Sequence, residues 1–223
     1  MLHCAYQFVT FFTMIRGGGV VETQGQAIPD NGRRAVIVVD MLRGFLEARC
    51  PLDVGEAGRA IIPAVRHRIV DEAARDAAVF WVTDSHAPDD AEFAMFPPHC
   101  IRGTAEAEIV PALADLVTPA NVLPKTRYSG FYDTDLTARL VALAPEIVTV
   151  IGVCTDICVL HTVADARNRD YAVVVPADCV ASFDDAAHRF ALDHMRRVLG
   201  ATITDTDTTR DLLALSTGRG SDV

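Results

Sequence analysis

The chain of 223 residues carries 20 Lys and Arg against 30 Asp and Glu, a formal charge of −10, with 50% of its residues hydrophobic and 22% charged. That length fits one domain of the roughly 100–200-residue class, and the composition excludes wholesale disorder, which needs low hydrophobicity together with high net charge. The acidic balance also excludes a phosphate-backbone binder, which needs clustered cations, so nucleic acid is not an expected partner.

In chain order, residues 1–32 are expected to be a flexible N-terminal extension, 33–210 a single domain and 211–223 a tail. The extension holds one apolar patch at 8–15, followed by Gly17, Gly18 and Gly19. No cation precedes the patch, and it is far shorter than the ~20 apolar residues of a membrane span. It is therefore read as flexible, as covering a partner, or as the product of an early start before Met14. No later run is apolar enough to span a bilayer, so no membrane is expected as a partner. Beyond residue 33, short apolar runs at 35–39, 78–82, 121–123, 147–151, 171–175 and 201–203 alternate with helical periodicities at 56–75, 105–116, 134–143, 155–168 and 184–199. In the last of these, Ala187, Phe190, Ala191, His194, Met195 and Val198 recur at spacings of three and four, the pattern of a buried helix stripe. Gly200 follows where a helix end favours glycine. Unalternated apolar strands imply burial on both faces. The expected fold is therefore a three-layer, doubly wound α/β sheet of about six mainly parallel strands with helices on both faces.

The six cysteines, Cys4, Cys50, Cys100, Cys154, Cys158 and Cys179, are scattered and form no CxxC pair. This spacing suits free thiols in a reducing compartment, so the expected location is cytoplasmic.

In doubly wound folds ligands bind beyond the carboxyl ends of the strands, so chemistry is expected just after the apolar runs. Asp40 follows AVIVV, Asp84 and His86 follow VFWVT, Lys125 follows NVLP, and Cys158 follows TVIGV within GVCTDICV. Thr155 reads as a helix N-cap, which puts Cys158 in a first helical turn, where the dipole and Lys125 favour a thiolate and Asp40 accepts the thiol proton. A base, a cation and a nucleophile suffice for acyl transfer. Asp84, His86 and His99 offer a carboxylate and two imidazoles, a set suited to zinc, iron or manganese rather than calcium. Trp81 reads as core; His161, His188 and His194 read as structural or surface groups.

The segments VVDMLRGF, DSH, FPPHCIRGT, KTRYSGF and GVCTDICVLHT, in this order, resemble the cysteine hydrolase (isochorismatase-like) superfamily over 33–207, and within it are most similar to nicotinamidases. The resemblance implies Asp40 as general base, Lys125 as its charge-stabilising partner and Cys158 as nucleophile. It implies a cis peptide between Val153 and Cys154, with the backbone N–H groups of Cys154 and Cys158 facing an oxyanion. It also implies one divalent ion, zinc ahead of iron or manganese, on Asp84, His86, His99 and Glu92, and a ring slot lined by Phe45, Phe96 and Tyr128. The implied activity is hydrolysis of nicotinamide, a small-molecule amide, to nicotinate and ammonia in NAD salvage, by a homo-oligomer. Hydrolysis of another small or cyclic amide, and an inactive binding scaffold, are the alternatives. Two departures from the family pattern, Arg43-Gly44 in the first motif and Asp133 after YSGF, bear on the substrate rather than on the catalytic set.

Overall fold

A computed structural model describes residues 10–16, 19–24 and 32–204. Strands β1 (Thr10–Arg16) and β2 (Gly19–Gln24) pair antiparallel as a separate two-stranded sheet. The rest of the expected extension and the tail at 211–223 lie outside the described residues.

From β3 (Arg34–Val39) the chain passes through α1 (Arg43–Leu46), α2 (Glu56–Ala60) and α3 (Ile62–Ala73) to β4 (Ala78–Asp84). A long loop of short 3-10 turns leads to β5 (Val122–Lys125), then α4 (Leu136–Leu143) and β6 (Ile147–Val153). After α5 (Leu160–Arg167), β7 (Val173–Pro176) and β8 (Val180–Ala181), the helix α6 (Asp185–Arg197) runs into β9 (Thr202–Thr204). The seven strands β3 to β9 form one parallel sheet in the order β5-β4-β3-β6-β7-β9, with β8 paired to the end of β6.

The unbroken apolar strands are covered on both faces, as their composition requires. Ile37, Val39, Val82 and Val150 pack with Leu140, Val163 and Met195 of α4, α5 and α6. Val36, Val38, Trp81 and Ile151 pack on the other side with Val65 and Ile69 of α3 and with Leu113. Each such fully buried aliphatic side chain contributes about 1.5–3 kcal/mol relative to exposure. A buried two-pronged ion pair, Arg34 Nε to Glu72 Oε2 at 2.6 Å and Nη2 to Oε1 at 3.0 Å, ties the start of β3 to α3.

Three expectations are corrected. The helix expected at 105–116 is a pair of 3-10 turns, Ala105–Ala107 and Pro111–Leu116, because Pro111 lacks the N–H that would carry a helix through. The periodicity at 56–75 is split into α2 and α3, with Pro63 in the first turn of the second. In α6, Ala191 and Met195 are buried, but Phe190 and Val198 face outward, and the Phe190 ring stacks on His194 at 5.8 Å. Asp184 caps this helix by accepting the Ala187 N–H at 2.8 Å, and Gly200, at φ +66°, lies just beyond its end.

Candidate active site

The register aligns the strand ends: Val39 lies opposite both Val82 and Gly152, and Asp84 opposite Lys125. Asp40, at φ +49°, leaves β3 in the left-handed region that Asp tolerates, and its N–H donates to Val82 O at 3.0 Å. Its Oδ1 accepts the Asp84 N–H at 2.8 Å, and its Oδ2 lies 2.7 Å from Lys125 Nζ. Lys125 is fully buried, also pairs with Asp84 Oδ1, and holds its Nζ 3.6 Å from Cys158 Sγ. Asp40, Lys125 and Cys158, predicted from separate strand ends, thus share one buried cluster.

Cys158 sits on a single wide turn, Thr155–Val159, of π-helical form, which leads into α5. The cap of this turn is Cys154, not Thr155: its extended carbonyl receives the N–H groups of Ile157 and Val159, both at 3.1 Å. The Thr155 hydroxyl instead meets His188 Nδ1 at 2.8 Å, fastening the turn to α6. The Val153–Cys154 peptide is cis. Gly152, at φ +117°, is required here, since a Cβ would run into the carbonyl oxygen of Val39.

Burial pushes the Cys158 thiol well above its ordinary value, against the pull of Lys125. The pull toward a thiolate expected from Lys125 is thus opposed at the sulfur by burial and by the charges of Asp40 and Asp84. Burial, reinforced by the charge of Asp84, lifts Asp40 to about 6 in spite of Lys125. For Asp84 burial acts upward too, but Lys125, His86 and His99 outweigh it and hold the carboxyl well below the usual carboxylate range. Burial alone would lower Lys125, yet Asp40 and Asp84 keep it firmly an ammonium.

Beside this cluster stand Asp84, His86 and His99, whose ligand atoms all lie within 4.8 Å of one another. The His86 N–H donates to Cys100 O at 3.1 Å, which draws the loop carrying His99 against the end of β4. Each imidazole spends its Nδ1 outward, His86 on Asp90 Oδ2 at 3.1 Å and His99 on Pro97 O at 2.9 Å. Their Nε2 atoms face Asp84 Oδ2 at 3.6 and 3.7 Å, and His86 Nε2 is buried with no hydrogen-bond partner. An orphaned, buried imidazole nitrogen beside a second imidazole and an ionised carboxylate fits a divalent cation of the zinc type. Glu92 Oε1 lies 3.9 Å from His99 Nε2, at the edge of this trio, and its Oε2 is likewise buried without a hydrogen-bond partner.

Above both clusters is a pocket lined by Phe45, Phe96 and Tyr128 together with Leu52, Ile157 and Phe183. The Phe96 and Tyr128 rings meet edge to face at 6.4 Å and 88°, and Phe45 lies 5.6 Å from His99. Asp40, Cys154 and Cys158 reach the same space. Asp84, Glu92 and His99 also border it, so the pocket adjoins both the thiol and the donor trio.

An isochorismatase-domain model matches residues 34–208. The chain belongs to the isochorismatase family. Among its relatives in this family, the solved nicotinamidase PncA of Bacillus subtilis superposes with a TM-score of 0.74 at 34% identity, over 78% of this chain and 99% of that one. The pyrazinamidase of Pyrococcus horikoshii, solved in complex with zinc, has a TM-score of 0.71 at 30% identity over 78% of this chain and 99% of that one. Nicotinamidase 1 of Arabidopsis thaliana is 32% identical over 175 residues, 70% of either chain. Among the described residues of this isochorismatase-family chain, no helix is long and apolar enough to cross a membrane.

Several residues around the site were not singled out from sequence. Phe93 packs against both imidazoles, at 5.4 Å from His86 and 5.6 Å from His99. Ile157 lies beside Cys158 in the motif and was legible there. Leu52 and Phe183 come from loops with no periodicity to mark them, and Asp90 resembles any acidic turn residue until its contact with His86 is seen.

Proposed function

We propose that this chain is a metal-dependent cysteine amidohydrolase that converts nicotinamide and water to nicotinate and ammonia through a thioester. One observation carries the reading: a buried thiol and carboxylate, backed by the Lys125 ammonium, line an aromatic pocket together with Asp84 and His99 of the carboxylate–imidazole trio. Family membership supports hydrolysis of an amide carbon–nitrogen bond, and the relatives named nicotinamidase support the substrate.

In this mechanism Asp40 takes the proton of Cys158, and its raised pKa makes it a stronger base than an ordinary carboxylate. Lys125 stays protonated and holds the new thiolate by charge from 3.6 Å. The sulfur adds to the carboxamide carbon, and the backbone N–H groups of Cys154 and Cys158 receive the oxyanion, where one such donor contributes about 10²–10³ in rate. Asp40 returns its proton to the departing nitrogen, which leaves as ammonia. Asp40 then takes a proton from water, whose oxygen displaces the sulfur and releases the acid, and passes that proton to the freed Cys158 sulfur. Asp84, His86 and His99, with Glu92 alongside, would hold a zinc ion that supplies a coordination point for the ring nitrogen. Phe45, Phe96 and Tyr128 bind the ring and exclude water. In this reading the enzyme serves NAD salvage in the cytoplasm.

The test is ammonia release from nicotinamide by the purified chain, with zinc present and after chelation. Turnover is expected with zinc and lost on chelation, and Cys158→Ala abolishes it while the unfolding midpoint is retained. Undiminished turnover by Cys158→Ala refutes the nucleophile.

A further inference from the structure

We propose that Asp90 is a positioning residue of the metal centre, fixing His86 in the tautomer whose Nε2 lone pair faces Asp84 and His99. The inference rests on the metal-binding part of the function proposed above.

The His86 side chain is fully buried, so its two ring nitrogens have no solvent to turn to. Nδ1 has Asp90 Oδ2 at 3.1 Å, and an ionised carboxylate only accepts hydrogen bonds. Nε2 also faces a carboxylate, Asp84 Oδ2, but at 3.6 Å, beyond hydrogen-bond reach, so the contact at Nδ1 favours the ring proton there and leaves Nε2 bare. The other oxygen of Asp90 is equally committed. Its Oδ1 accepts the Glu92 N–H at 2.9 Å and Arg127 Nη1 at 2.9 Å. One side chain thus joins a ligand imidazole, the turn that presents Glu92 and the loop that presents Tyr128. His99 differs, because its Nδ1 is held by a main-chain carbonyl that no substitution of a side chain removes. His86 is the imidazole of the pair whose tautomer depends on a replaceable group.

This geometry makes Asp90→Asn a change of one atom. The amide oxygen must stay at the Oδ1 position, since turning the group would set its NH2 against two donors. The NH2 then faces His86 Nδ1 and donates to it, which moves the ring proton to Nε2, where it points at the ion. Asp90→Ala removes the acceptor but imposes no tautomer. The full-length chain, loaded with zinc and titrated with a chromophoric chelator, reads the consequence. Asp90→Asn should weaken zinc binding about 10–100-fold, and Asp90→Ala by less. The unfolding midpoint of metal-free Asp90→Asn should match the wild type, because its Oδ1 keeps both bonds. A merely structural role gives the reverse ranking, with Ala worse than Asn in both measurements. That ranking, an Asp90→Asn affinity equal to wild type, or loss of the fold in Asp90→Asn overturns the inference. If the wild-type chain itself binds no zinc, the metal centre fails and takes this inference with it, whereas the first three outcomes leave the metal centre standing.

Discussion

Replacing Lys125 by Met probes the charge balance on which the site depends. The ammonium lies 2.7 Å from Asp40 Oδ2 and also pairs with Asp84, and both carboxylates are almost wholly buried. With it, two negative charges and one positive share the interior; without it, Asp40 and Asp84 face each other with no ammonium between them, and the two imidazoles stand on Asp84 alone. Breaking a buried pair in this way costs about 3–5 kcal/mol. In a domain of this size that lowers the unfolding midpoint by roughly 6–20 °C, at about 2–4 °C per kcal/mol. The measurement is calorimetry of chelated wild type and Lys125→Met, because a bound cation would itself compensate Asp84. The sign of the pH dependence follows from the causes already seen. Burial raises Asp40, Asp84 raises it further, and Lys125 opposes both. In the variant the Asp40 carboxyl sits further above its unfolded value and Asp84 loses part of what holds it down, so both changes cost more stability as pH rises. The deficit relative to wild type should therefore be largest at alkaline pH and shrink on acidification. A midpoint equal to wild type at pH 8 would show that Lys125 does not hold the two charges together.

Two further outcomes follow from the same geometry. Because Asp40 must be ionised to accept the thiol proton, kcat/KM should fall as pH drops through about 6 and lose about tenfold per pH unit below that. A profile flat down to about 3.9, the ordinary Asp value, removes Asp40 as the base. Phe96→Ala removes one wall of the slot and its edge-to-face contact with Tyr128, and should raise KM about 2–12-fold from the lost ring contact alone while changing kcat less. A fall in kcat with KM unchanged would place Phe96 outside the ring-binding role.

The sheet was legible because runs such as 35–39 and 147–151 are apolar without alternation, and burial on both faces is the one environment that suits them. The strand ends were legible for the same reason, since a charged residue directly after such a run marks where the core stops. What escaped was set by contacts remote in sequence. Strand β8 has two residues, too few for any pattern, yet it leads into Phe183 in the pocket. Phe190 and Val198 obey the helix period, but the period fixes which residues share a face, not how wide a stripe the sheet covers. Thr155 is a good capping residue in isolation; its hydroxyl goes to His188, thirty-three positions away, and the extended carbonyl of Cys154 closes the turn instead. The opposition that burial sets against the Lys125 charge at the sulfur was not legible, because the cation is visible in sequence and the depth of burial is not.

The reactive groups hang from the ends of separate strands, linked by contacts that span 44, 41 and 33 residues of chain. No fragment and no half-zipped sheet can assemble them. In the proposed mechanism a nascent or misregistered chain therefore carries an inert cysteine, and turnover requires β3, β4, β5 and β6 all to be in register. Regained turnover after dilution from denaturant is for that reason a stricter gauge of correct strand pairing than regained helicity.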